Sequence, residues 1–107
     1  MSVTAASSDG MRQRAKWMAP KDDPILEVLR DIGNLTPFAI SREGRVPRVD
    51  IGKQWASDRC RTLWKHGLLV MVEEGLYAIS EDGIAYLDEE LDASTLHELD
   101  EPRVADE

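Results

Sequence analysis

Cysteine occurs once in this chain, at Cys60, which excludes an internal disulfide and leaves zinc without its usual thiolate partners. Long apolar runs are also missing: no stretch of about 18 apolar residues exists, so nothing reads as a membrane span. Met1 to Gly10 is small and polar and lacks the apolar centre of a secretory signal, so it is expected to be a disordered leader. On these grounds a cytoplasmic protein is expected. Histidine is limited to His66 and His97, neither of which has a serine, cysteine or metal-ligand constellation at a useful spacing. The acidic runs lack a pocket-forming glycine motif, so no enzyme, metal or cofactor is expected. Repeats and low-complexity segments are absent as well.

Lysine is scarce, four against nine arginines, whereas carboxylates number 21 and bring the net charge to −8. This skew resembles proteins of salt-accumulating halophiles, in whose molar salt the Debye length is about 3 Å and binding rests on close contacts. The charge is also segregated. Twelve Lys and Arg face seven Asp and Glu between Met11 and Gly67, while Arg103 alone faces thirteen acids from Leu68 onward. The local balances are +5 and −12, with Asp9 completing the total. A chain arranged this way can present one basic face while remaining acidic overall.

What is present is enough apolar residue, 42% of 107, for one modest core. Met11 to Met18 is expected to form a short helix ended by Pro20. Asp22 and Asp23 before Pro24 give a capping acid and a first-turn proline, followed by an apolar stripe of Ile25, Leu26, Val28, Leu29 and Ile32 that stops at Gly33. Leu35 suits a one- or two-residue strand. Thr36-Pro37 repeats the cap-plus-proline device and opens a second helix to about Glu43, burying Phe38, Ala39 or Ile40. Proline then breaks the Arg45–Asp50 connection. A third helix is expected from Lys53 to His66, with Ala56, Cys60 and Leu63 at i, i+4 and i+7 facing the core and Gly67 as its stop. Leu68–Val72 and Leu76–Ile79 flank Glu73-Glu74-Gly75 as a hairpin. Ser80 caps a last helix to Leu91, with Ile84, Leu87 and Leu91 on one side. Pro102 to Glu107 is expected to fray.

Helix, tiny strand, helix, helix, hairpin, helix is the order of a winged helix-turn-helix domain: mainly α (α+β), a three-helix core plus a two-stranded wing and a C-terminal helix. The expected division is a flexible N-terminal arm over 1–15, the domain over 16–91, and an acidic, partly helical tail over 92–107. The details go further. Trp17-Met18 with Asp22-Asp23, Gly33-Asn34-Leu35-Thr36-Pro37, Arg59-Cys60-Arg61, Gly67-Leu68-Leu69, Gly75-Leu76-Tyr77, Gly83 and Ala85-Tyr86-Leu87 closely resemble the haloarchaeal phage phi-H repressor-like family, itself similar to MarR-type regulators. The resemblance covers roughly Trp17 to Leu96 and implies a DNA-binding, repressor-like role as a homodimer.

The expected function is therefore a sequence-specific transcriptional regulator whose third helix enters the major groove of double-stranded DNA. Gln54, Ser57, Asp58, Arg61 and Lys65 occupy the outward side. Gln54 suits adenine, Arg61 guanine and Asp58 the cytosine amino group, each bidentate match being worth about 1–3 kcal/mol. The plain alternative is a solvated face on which Asp58 pairs with Arg61 or Thr62 for about 0.2–0.5 kcal/mol. Arg42, Arg45, Arg48, Lys53 and Thr36 are candidates for phosphate contact, with loop solvation the alternative for Arg45 and Arg48. The wing tip, Glu73-Glu74-Gly75, carries no arginine and would be repelled by phosphates. That supports the alternative of a protein–protein module without direct DNA binding. Cys60 suits a buried hydrophobe rather than a redox sensor, and Trp55 and Trp64 suit packing rather than base stacking. Trp17, Met18, Leu87, Leu91 and Leu96 are candidates for a dimer contact. No residue specifies a small-molecule effector.

Overall fold

The computed structural model describes residues 12–45 and 48–105. Its elements are α1 (Asp22–Ile32), α2 (Pro37–Ile40), α3 (Lys53–Lys65), β1 (Leu69–Glu73), β2 (Leu76–Ile79), α4 (Glu81–Leu87) and a 3-10 turn, Ala93–Thr95. This is the winged helix arrangement. The helices pack around Ile25, Leu26, Leu29, Ile40, Ala56, Cys60 and Leu63, and the hairpin and α4 close that core with Leu68, Leu69, Tyr77, Tyr86 and Leu87.

The end of α3 is stopped by local chemistry. Gly67 adopts a φ of 87°, which an L side chain resists, and its N–H donates to Trp64 while that of Leu68 donates to Leu63. Those two bonds satisfy the last carbonyls of the helix and turn the chain straight into the wing. At the wing tip Gly75 has a φ of 79°, and a bulge lies between Met71 and Glu73. The hairpin is longer across than two strands. Leu35 pairs with Tyr77 on the outer edge of β2, and Val104 pairs with Met71 on the outer edge of β1. Because Met71 and Tyr77 are cross-strand partners, Leu35, Tyr77, Met71 and Val104 form one row with neither edge left open there.

Several expectations change on folding. No helix forms over 12–18, and Met11 lies outside the described residues. Instead Arg12 and Arg14 reach onto α1: Arg12 bonds Glu27 at 2.8 Å and the Leu87 carbonyl at 3.0 Å, and Arg14 bonds Asp23 at 2.7 Å. Those side-chain ties pin the segment to α1 and α4. Ile32 is 44% exposed because α1 ends just where its stripe passes the core. The second helix stops at Ile40 rather than Glu43 because the connection captures its backbone, Val49 N–H donating to Ile40 and Arg42 N–H to Ile51. Val49 and Ile51 are consequently core residues, while Phe38 is 50% exposed.

The last helix ends at Leu87 and buries Gly83, Tyr86 and Leu87 rather than the stripe through Ile84. A Cβ at Gly83 would collide with the Leu68 carbonyl and come within 2.7 Å of Ile79. That close approach rotates Gly83 and Tyr86 inward and turns Ile84 out. The C-terminal segment is not frayed over its described part, since Arg103–Ala105 pairs with β1.

Candidate nucleic-acid interface

Successive residues of a helix are turned by about 100°, so α3 divides into an inward stripe, two flanks and an outward face. Ala56, Cys60 and Leu63 form the inward stripe and are buried. Burial pushes the Cys60 thiol up to about 12, with the nearby Asp22 carboxylate adding to the effect, so this cysteine is a core hydrophobe without a reactive thiolate.

One flank is bound to the segment ahead of α1. Arg59 Nε donates to Asp22 Oδ1 at 2.9 Å and Nη2 donates to Asp22 Oδ2 at 2.8 Å and to the Trp17 carbonyl at 3.0 Å. Asp22 is fully buried and Arg59 nearly so, its side chain 12% exposed. The bond to Asp22 holds the guanidinium charged against the desolvation it suffers. About two helical turns further along, His66 stacks on Trp17 with ring centroids 3.8 Å apart. Asp22 and Asp23 were expected as caps of α1. The helix has no side-chain cap; Asp22 instead takes Arg59 and the Ala19 N–H, and Asp23 takes Arg14 and the Tyr86 hydroxyl, the latter at 2.9 Å. Burial, reinforced by Asp23, raises the Tyr86 hydroxyl above its ordinary value.

The other flank, Ser57, Arg61 and Trp64, faces the wing across an open cleft of about 670 Å³ that also includes Met71, Glu73, Glu74 and Tyr77. Gln54 and Asp58 lie on the outward face and are exposed, as are Lys53 and Arg61; Ser57 and Lys65 are half-buried. The five helical candidates Gln54, Ser57, Asp58, Arg61 and Lys65 therefore stand on one continuous, solvent-open side. The alternative pairing of Asp58 with Arg61 or Thr62 side chains is not made among the described contacts; the Thr62 hydroxyl donates instead to the Asp58 carbonyl.

The remaining candidates are more dispersed. Thr36 caps α2, its hydroxyl accepting the Ala39 N–H at 3.1 Å. Arg42 is paired with Asp50 at 2.7 Å and Arg48 with Asp31 at 3.0 Å, all four side chains being exposed. Arg45 is exposed in the connection. Trp17, Met18, Leu91 and Leu96 pack partly buried against the core, and Leu87 is 3% exposed, so one subunit already covers most of what these five side chains offer.

Reading the chain residue by residue missed the Arg59–Asp22 clamp, the Tyr86–Asp23 bond and the tie from the Trp64 indole N–H to the Arg103 carbonyl at 2.8 Å. None of the three is signalled locally, because they join residues 37, 63 and 39 positions apart.

Among curated proteins none matches this chain. The crystal structure of the PhiH1 repressor-like protein from Haloarcula marismortui is similar, with a TM-score of 0.71 and 36% sequence identity over 82% of this chain and 97% of that one. The family described as winged helix-turn-helix phage repressor matches residues 11–99. That family is one of repressor-like regulatory folds rather than an enzyme class. The family match over residues 11–99, together with 36% identity across 82% of this chain, places it in the winged helix-turn-helix phage repressor family.

Proposed function

We propose that the protein is a sequence-specific transcriptional repressor that binds double-stranded DNA as a homodimer in the cytoplasm, reading the major groove with α3. The carrying observation is that α3 is anchored on one flank by a buried ion pair and left open on the side of Gln54, Asp58 and Arg61. A helix of thirteen residues is about 20 Å long, which suits a major groove, and fixed anchorage lets its side chains meet base edges in one register. Gln54, Ser57, Asp58 and Arg61 would supply base contacts, with Lys65 near the helix end. Lys53, Arg45, Arg42, Arg48 and the Thr36 region would supply phosphate contacts. The exposed Arg42–Asp50 and Arg48–Asp31 pairs are worth only about 0–1 kcal/mol each, so either guanidinium exchanges its carboxylate for a phosphate at little cost.

Two-fold pairing would present two such helices to an inverted repeat with half-sites about one helical turn apart. Fluorescence anisotropy on DNA flanking its own gene, across a salt series, tests the reading. Saturable, sequence-dependent binding that weakens about 10- to 100-fold in Arg61→Ala is expected. The acidic wing tip, Glu73-Glu74, favours a second reading as a protein–protein module. Absence of DNA binding at every salt concentration would leave that reading standing.

A further inference from the structure

Over residues 96–105 the chain stays on the domain. It runs from the carboxyl end of α3 to the outer edge of the wing. Leu99 N–H donates to the Lys65 carbonyl at 2.8 Å, Met71 N–H to Arg103 at 3.1 Å and Ala105 N–H to Met71 at 2.9 Å, while the Trp64 indole donates to Arg103. Val104 thereby joins the lining of the cleft that holds Ser57 and Arg61. The attachment is made by hydrogen bonds and an exposed Arg103–Asp82 ion pair at 3.8 Å, not by burial: Val104 is 60% exposed, and Arg103 and Ala105 are exposed too. Such a strand is detached at the cost of a few solvent-replaceable bonds. The stretch leading to it is acidic, with Glu98, Asp100 and Glu101 all exposed.

We infer that this acidic C-terminal segment is an intramolecular competitor of DNA, occupying the wing edge beside α3 and releasing when a duplex binds. This rests on the DNA-binding reading. A duplex seated on Ser57 and Arg61 brings phosphates to the cleft between α3 and the wing. There they meet Val104 in the lining, and the exposed carboxylates of Glu98, Asp100 and Glu101 on the stretch leading to it add like charge. Detachment removes Val104 and that added charge, Glu73 and Glu74 staying in the lining, and exposes the Trp64 edge and the β1 backbone to the nucleic acid. The segment thus lowers affinity for DNA in general, so that only a duplex making the full set of base contacts displaces it.

The test uses the full chain and a mixed-sequence duplex of about 20 base pairs, long enough for two half-sites. Ala105→Pro removes the N–H that bonds Met71 without changing charge, and residue 105 is exposed and outside the core. The variant is expected to bind this duplex about three- to tenfold more tightly than the parent, the factor that one or two net backbone bonds hold back. A second measurement needs no variant. Hydrogen exchange at the Met71 amide, which donates to Arg103, should accelerate when DNA flanking the protein's own gene saturates the parent. Parent binding with an unchanged or weaker Ala105→Pro affinity, or a Met71 amide that stays protected in the complex, overturns the competitor and leaves the DNA reading intact. No binding by either protein, to this duplex or to DNA flanking its own gene, at any salt concentration overturns both.

Discussion

Arg59 and Arg61 stand two residues apart on the same helix and have opposite fates. Arg59 is turned toward Asp22, is almost fully covered and spends three donors on fixed partners. Arg61 is turned toward solvent and the cleft. The same guanidinium chemistry therefore serves as an anchor in one place and as an available donor set in the other. The difference is set by about 200° of helical rotation and by one buried carboxylate. It also separates two sensitivities to salt. A buried bidentate pair is little screened, whereas contacts from the open side weaken as ionic strength rises. For a chain with this acidic composition, that division lets the fold hold in salt while binding remains adjustable.

The comparison breaks most visibly at Asp22. Asp22→Ala strands a buried guanidinium and is expected to cost about 3–5 kcal/mol in urea unfolding; replacing both partners by apolar residues, Asp22→Leu with Arg59→Met, should recover most of that loss. A loss under about 1 kcal/mol for the single change would mean that Arg59 finds water in the folded state. Arg61→Ala should do the reverse. It shifts stability by less than about 0.5 kcal/mol, while duplex affinity falls by the amount already given.

A third change sharpens the picture on the anchored side. Tyr86→Phe removes the hydroxyl donated to Asp23 and should cost about 1 kcal/mol at neutral pH. Its pH dependence has a definite sign. The folded state holds the Tyr86 proton more tightly than the ordinary value of 10.0, so the unfolded chain releases it first. Stability from this group is full below that pH and is lost as pH climbs toward the raised folded value. Unfolding midpoints between about pH 8 and 11 should therefore fall less steeply in Tyr86→Phe than in the parent. The smallest effect concerns Cys60. Its thiol, pushed up to about 12, should resist iodoacetamide near pH 8 in the folded protein and react only on unfolding. Rapid native-state labelling would show that the inward stripe of α3 opens.

Much of the fold is legible in the sequence because its signals are local. Thr36-Pro37, Ser80 and Gly67 act within one helical turn, and the structure uses each as a cap or stop. The 3.6-residue repeat of Ala56, Cys60 and Leu63 likewise identifies the inward stripe and, by subtraction, the open side with Gln54, Asp58 and Arg61. Periodicity fails where a contact distant in sequence rotates an element. Gly83 against Leu68 rotates α4 and exposes Ile84, and Val49 and Ile51 enter the core from a proline-broken connection that has no repeat to read. The phosphate candidates show the same limit. Nothing near Arg42 or Arg48 in a periodic pattern announces that Asp50 and Asp31 lie within reach.

By itself, the order of residues determined the caps at Thr36 and Ser80 and the stop at Gly67, which stripe of α3 is apolar, and that basic charge lies in the first two thirds of the chain. Those are properties of neighbouring residues, and neighbours interact whatever the rest of the molecule does. Only the tertiary structure decided that Asp22 meets Arg59, that Tyr86 meets Asp23 and that Val104 closes the wing. These contacts join residues 37, 63 and 33 positions apart, so they exist only once the core has drawn their elements together.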